Sequence, residues 1–263
     1  MEKQLRLFGF LLFFICSAQG QMKNASLVSS QSISGSTFVG IDVLSNLYYV
    51  ENNVFFKKNK SQLWQYKNLS LGKITKIDLQ NPLKIVLFYE DFNSVILLDN
   101  QLNEIQKITF SNENSSIIAA AIGIASQNKL WVFDTLSQKL GLYNYSNGDF
   151  KPITTSFQGN FKYYESDFNT FQWIDNNLNW YAVDVFGKIT TLGKVADFDQ
   201  IQVINDHVVL FLKDGKLQLQ DIRNNSIYPI ENMDKSFKNF YYKDQILATF
   251  TNQEITNYKI KIP

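Results

Sequence analysis

Hydrophobic positions along the chain come in short runs, each followed by a polar turn and then by a second, more alternating run. Leu47–Val50, the turn Glu51-Asn52-Asn53 and Val54–Phe56 form one such unit. The pattern recurs at Val95–Leu98 with Leu102–Ile108, at Lys129–Phe133 with Lys139–Tyr143, and at Trp180–Val183 with Lys188–Leu192. It returns at His207–Leu212 with Lys216–Gln220 and at Ile246–Phe250 with Glu254–Tyr258. Period-two alternation bounded by turn residues predicts β-hairpins, and Asp214-Gly215 is the strongest hairpin turn among them. Helical periodicity is nearly absent. One short helical turn is predicted near Glu231–Lys235.

The six turns fall near positions 52, 100, 136, 186, 214 and 252, spaced by 48, 36, 50, 28 and 38 residues. Short strand candidates precede several hairpins, at Ile74–Ile77, Ile117–Ala121 and Gln200–Ile204. Four-stranded propeller blades repeat at roughly 40 residues, which suggests about six blades here. The predicted fold is therefore all-β, a single β-propeller over residues 38–263. A β-sandwich or barrel is the alternative; hairpins in series without long crossovers favour the propeller. The polar stretch 21–37 is either a flexible leader or, through Ala25–Val28, a strand that closes the ring.

Lys129-Leu-Trp-Val-Phe-Asp134 followed by Lys139-Leu-Gly-Leu-Tyr143 looks like the outer hairpin of a blade, and Ile41-Asp42 before Asn46–Val50 is similar. The pattern resembles divergent exported bacterial propellers. These include the assembly-factor subunit of the outer-membrane β-barrel insertion machinery and the PQQ-type and NHL-type repeats. The resemblance covers most of the chain as a loose spacing. It lacks the Gly-His and Trp-Asp marks of WD repeats, and it carries over no functional residue.

The start of the chain adds a compartment. Lys3 and Arg6 precede the apolar run Leu7–Ile15, and Ala18 and Gly20 stand at the small-residue positions of a cleavage site. This is the build of a secretory signal peptide over residues 1–20. The run is too short for a spanning helix. Cys16 after the apolar run offers a lipoprotein reading, but Ile15 stands where a small residue is preferred. Cys16 is the only cysteine, so the mature chain holds no thiol or cysteine-based metal site. Hydrophobic residues make up 45% of the chain, enough for a core. The net charge of +1 gives no nucleic-acid footprint. Lys57-Lys58-Asn59-Lys60 is the densest basic cluster and reads as a solvated hairpin tip or edge guard.

Candidate chemistry is sparse. His207 is the only histidine and sits in a turn entering a strand, with no Gly-x-Ser-x-Gly elbow to supply a nucleophile. Glu90 and Asp91 would point to opposite faces of a strand, so they cannot act together if extended. Asp197 and Asp199 would share a face, but turn chemistry accounts for them without a metal. Six Asn-x-Ser sites, among them Asn24, Asn59 and Asn68, matter only in a eukaryotic secretory pathway. The segment with Tyr163, Tyr164, Phe168, Phe171, Trp173 and Trp180 is rich in aromatics. Most of these read as core; Tyr164, Phe168, Phe171 and Trp173 form the candidate contact surface.

No catalytic, metal or cofactor site is predicted. The expected function is a non-catalytic exported binding or scaffold protein of the bacterial envelope. It is placed in the periplasm, at the outer membrane, or secreted. It is expected to engage protein partners, such as an outer-membrane complex, and neither nucleic acid nor the bilayer as an integral protein. A carbohydrate-binding protein or glycan-active enzyme is the alternative, resting on the aromatics and scattered carboxylates.

Overall fold

The computed structural model describes residues 23–33, 37–42, 44–111, 116–233, 237–251 and 253–262. The signal peptide and Cys16 lie outside the described residues, and so do residues 234–236 of the predicted helical turn; Glu231 itself ends a strand. No helix among the described residues is long and apolar enough to cross a membrane.

The chain folds as a β-propeller of six blades, each an antiparallel four-stranded meander. Blade 1 holds Thr37–Ile41, Leu47–Glu51, Val54–Lys58 and Leu63–Tyr66, and blade 2 holds Lys76–Asp78, Ile85–Tyr89, Ser94–Leu98 and Glu104–Thr109. Blade 3 holds Ala119–Ala125, Lys129–Asp134, Lys139–Asn144 and Asp149–Pro152. Blade 4 holds Phe161–Ser166, Thr170–Asp175, Asn179–Asp184 and Ile189–Lys194. Blade 5 holds Gln200–Asn205, Val208–Lys213, Lys216–Asp221 and Ser226–Glu231. Blade 6 holds Asn239–Lys243, Ile246–Phe250 and Glu254–Lys259 from the C-terminal end, and its outer strand is Ser26–Ser32 from the other end of the chain. Lys23 and Asn24 pair in parallel with Ile230 and Glu231, so the same N-terminal segment also borders blade 5.

The first strands begin at 37, 76, 119, 161, 200 and 239, spaced by 39, 43, 42, 39 and 39 residues. The repeat is thus far more regular than the hairpin turns suggest. In blades 1, 3, 5 and 6 the conspicuous hairpin joins the second and third strands, whereas in blades 2 and 4 it joins the third and fourth. Mixing two hairpin positions produced the uneven spacing.

Six apolar clusters, one between each pair of neighbouring blades, hold the ring. Val95 and Leu97 pack toward blade 3, while Ile96 and Leu98 pack toward blade 1. Blades 3 and 4 share Phe133, Phe171 and Trp173; blades 4 and 5 share Ile174, Trp180 and Val209. Blades 5 and 6 share Leu210, Leu219, Leu247 and Ala25, and blades 6 and 1 share Phe250, Ile255, Phe38 and Tyr49. A strand buried on both faces must be apolar at every position rather than at alternate ones. Ile85–Tyr89 and Val208–Leu212 are such runs, buried throughout.

Turns repeat one chemistry. Asp42, Asp99 and Asp175 each open a five-residue turn of the form Asp-x-x-x-Asn. Oδ1 accepts the N–H groups two and four residues on, and Oδ2 accepts the side-chain amide of the closing Asn. The fourth residue is left-handed in each: Ser45 at φ 61°, Leu102 at 60° and Leu178 at 68°. Asp184 repeats the backbone part with Gly187 at φ 86° in that place. At Asp42 the hydroxyl of buried Tyr48 adds a fourth hydrogen bond at 2.9 Å.

Burial acts to raise the Asp42 carboxyl, but hydrogen bonds from Asn46, Tyr48 and Leu44 outweigh it and hold the group below its ordinary value. A depressed carboxylate stabilises above its unfolded value and loses that contribution as pH falls through the folded one. Asp42→Ala should therefore lower stability by about 2–4 kcal/mol at neutral pH, read by chemical denaturation, and by less once the pH falls below the ordinary carboxylate range. At the ring closure Ser30 faces Thr256 across the strand pair. The double variant Ser30→Cys, Thr256→Cys should form a bridge that stabilises by up to about 4 kcal/mol, seen as a higher Tm that reductant abolishes.

Candidate functional site

The six first strands surround an axial channel of about 720 Å³. They are stitched to one another by side chains as well as by packing. The Gln202 amide both donates to the Tyr242 carbonyl and accepts the Tyr242 N–H, each at 2.7 Å, joining blades 5 and 6. Asn239 Nδ2 donates to the Phe38 carbonyl at 3.1 Å, joining blade 6 to blade 1.

The channel holds an ionisable cluster. Lys76 and Asp78 stand two apart on the first strand of blade 2 and so project to one side. Lys76 Nζ donates to the Tyr164 carbonyl at 2.9 Å and lies 4.6 Å from the Tyr164 ring centre and 5.5 Å from that of Tyr163. The Asp78 carboxylate accepts the Ile124 N–H and the Gln80 N–H, each at 2.8 Å. The Tyr163 hydroxyl donates to Glu165. Lys76 and Tyr164 belong to blades 2 and 4, so they meet across blade 3. Gly123 permits this: a Cβ there would lie 1.9 Å from Ser166 Oγ and 3.4 Å from the Asp78 carboxylate.

Desolvation governs the charges. Burial pushes the Glu165 carboxyl up to about 7, against the Tyr163 hydrogen bond and the Lys76 charge and with the help of Asp78. Burial also raises Asp78 against its two N–H donors, and lowers the Lys76 ammonium against Glu165 and Asp78. It raises the Tyr241 hydroxyl on the opposite wall as well. With Glu165 ionised the trio carries one net negative charge.

The aromatic candidates part company. Phe171 and Trp173 are buried between blades 3 and 4, where Trp173 stacks on Phe157 and Tyr181, so neither offers a surface. Tyr164 is half-buried in the channel wall. Phe168 alone of the four is exposed, in the first turn of blade 4. Trp180 is core and donates to Gln172.

The remaining candidates are paired locally. His207 Nδ1 meets Asp206 at 2.5 Å in the first turn of blade 5. Lys162 and Lys213 hold the exposed Asp197 well below the usual carboxylate range, and Asp199 pairs with Lys213 and the Asp214 N–H. Glu90 and Asp91 are not extended; they occupy an exposed 3-10 turn with Phe92. Among the described residues no three His, Asp or Glu side chains gather as metal ligands would.

Lys57 corrects the basic-cluster reading. It is buried, with Nζ donating to the Asn100 carbonyl at 2.7 Å and lying 5.1 Å from the Trp64 ring centre. A long aliphatic stem and a desolvated ammonium over an indole ring make lysine an interior residue here. The channel cluster itself escaped sequence reasoning. Its signal was the alternation of Lys76 and Asp78 on a strand flanked by apolar residues, at a position where neighbouring blades are apolar.

No family model matches the chain, and no curated protein sequence matches it. Solved structures do. Virginiamycin B lyase from Staphylococcus aureus, in a catalytically inactive form with quinupristin, aligns with a TM-score of 0.59 at 11% identity, over 88% of this chain and 99% of that one. The Cps50 (Swd1) β-propeller domain of Myceliophteria thermophila gives 0.58 at 9% identity, over 90% and 100%. BamB from Moraxella catarrhalis gives 0.52 at 11%, over 89% and 99%. At these identities the likeness is one of fold: the chain is a β-propeller, divergent in sequence from its structural neighbours.

A raised carboxyl destabilises the fold when ionised: the cost is absent below the unfolded value near 4.5 and complete above the folded value near 7. Glu165→Gln should therefore match the parent protein at pH 4 and exceed it by about 3 kcal/mol at pH 8, in denaturant titrations at both values.

Proposed function

We propose that this protein is a non-catalytic binding or scaffold subunit of the bacterial envelope, exported by residues 1–20 and engaging a protein partner through one face of its ring. The observation that carries the reading is a set of exposed apolar side chains on one face. In each meander the turns between second and third strands share a face with the linkers between blades. On that face Leu69, Phe92, Ile118 and Leu136 are 84%, 50%, 49% and 60% exposed. Contacts join the loops that carry them around blades 1 to 3. The Phe92 ring lies against Gly72, Asn93 bonds to Ile117 and Ala119, and the Thr135 N–H bonds to the Ile118 carbonyl at 2.9 Å. Exposed apolar residues grouped this way mark interaction sites rather than ordinary surface. Glu90 and Asp91 flank Phe92, so the matching partner surface is apolar with a basic rim. The resemblance to outer-membrane assembly propellers supports the setting.

The second reading is glycan-active. Asp78 and Glu165 are two carboxylates in one tyrosine-lined channel, and a carboxyl near 7 suits a general acid. Against it, both groups are engaged by internal donors, as any charge held inside a ring must be.

Tagged protein purified from gently solubilised envelopes should bring down a stoichiometric partner. The double variant Phe92→Ser, Leu136→Ser should lose that partner with Tm unchanged within about 2 °C, since both side chains are exposed. Retention of the partner by the variant would move the interface elsewhere. Absence of any partner, together with glycan hydrolysis abolished by Glu165→Gln, would establish the second reading.

A further inference from the structure

The densest basic cluster of the sequence has a use that neither the channel nor the exposed apolar side chains explain. A groove of about 680 Å³ opens between blades 6 and 1, on the face opposite those side chains. Its floor is apolar: Ile33, Ile41, Leu47, Ile246 and Ala248, with the Tyr241 ring. Its rim is basic. Lys58 and Lys60 reach it from blade 1 and Lys243 from blade 6. Lys57 is turned inside, which leaves Lys58 and Lys60 as the exposed part of the run.

Two carboxylates line the same groove. Asp42 is buried and fully engaged by Leu44, Asn46 and Tyr48, so it is not free to satisfy a lysine. Asp244 stands exposed on the rim against three lysines, leaving the rim positive. In the wall, Asn257 gives its Nδ2 to Ser29 Oγ at 3.0 Å, while its Oδ1 is sealed from solvent with no hydrogen-bond partner among the described residues.

An apolar trough capped by cations matches one kind of molecule in both its parts. We propose that this groove binds a single-chain amphiphilic anion, its hydrocarbon tail on the Ile33–Leu47–Ala248 floor and its carboxylate or phosphate head between Lys58, Lys60 and Lys243. A volume of this order holds one small ligand, not a bilayer surface. The site is independent of the protein partner proposed above, because it lies on the other face.

Dodecyl phosphate, kept below its micelle concentration, is the probe for titration calorimetry on the full mature chain. It should bind once per chain, and affinity should fall at least about tenfold in the Lys58→Glu, Lys60→Glu variant and in about 0.5 M salt. Gln31→Trp, placed on an exposed residue of the lining, should block binding while leaving the circular dichroism and Tm unchanged. Dodecyltrimethylammonium should not bind, and dodecanol should bind more weakly than the phosphate. Equal binding of all three amphiphiles, several molecules per chain, indifference to the lysine substitutions, or attachment only to anionic lipid vesicles would each overturn the assignment.

Discussion

Every blade has two apolar faces, and the whole architecture follows from having to bury both. A sandwich hides one face of each sheet, which permits polar residues at alternate positions. Here Ile85–Tyr89 and Val208–Leu212 carry no such alternation. A sheet of this kind needs a neighbour on each side, and a row of such sheets has exposed ends unless it bends into a ring. Six clusters between six blades are that requirement met in full. Burying a Leu, Val or Phe side chain contributes about 1.5–3 kcal/mol each, so an unmatched blade face would be a large loss.

The same closure forces polar groups inward. First strands converge on the axis, where side chains of several blades line one channel. Gly123 relieves the crowding at one point and brings blade 4 within reach of Lys76. The charges gathered there are tied by main-chain donors and acceptors, as a low-dielectric interior demands. That arrangement gives each axial charge an internal partner. One rim carries the exposed Leu69, Phe92, Ile118 and Leu136, the other the groove beneath Lys58 and Lys60.

Much of this was legible in the sequence, and the failures have physical causes. Six hairpins were visible because their turns are polar and their strands apolar. Their spacing misled because blade 2 makes its second-to-third connection through the 3-10 turn Glu90–Phe92, which carries no hairpin signature. The first strands at Lys76, Ala119 and Gln200 were found because small or alternating residues precede each hairpin. Aromatics at 171 and 173 read as surface or core equally well from sequence, since strand position alone does not say whether a neighbouring blade covers it. Lys57 was misjudged because charge outweighed its place two residues after buried Phe55, on the same strand face. The Asp-x-x-x-Asn repeat at 42, 99 and 175 went unread, because its hydrogen-bonded form shows only once the turns are built.

Ring closure through Ser26–Ser32 has a bearing on how the molecule comes to exist. That strand finds its partner, Glu254–Lys259, far along the sequence, with Ser30 and Glu254 separated by 224 positions. Blades 1 to 5 can zip up locally as they emerge, each from about forty neighbouring residues. Closing the last blade and pairing Lys23 and Asn24 with blade 5 are the non-local events, and until they occur the ring is an open arc. Such an intermediate is the state most open to strand exchange between copies, so ring closure is the step at which a holding factor would be most effective.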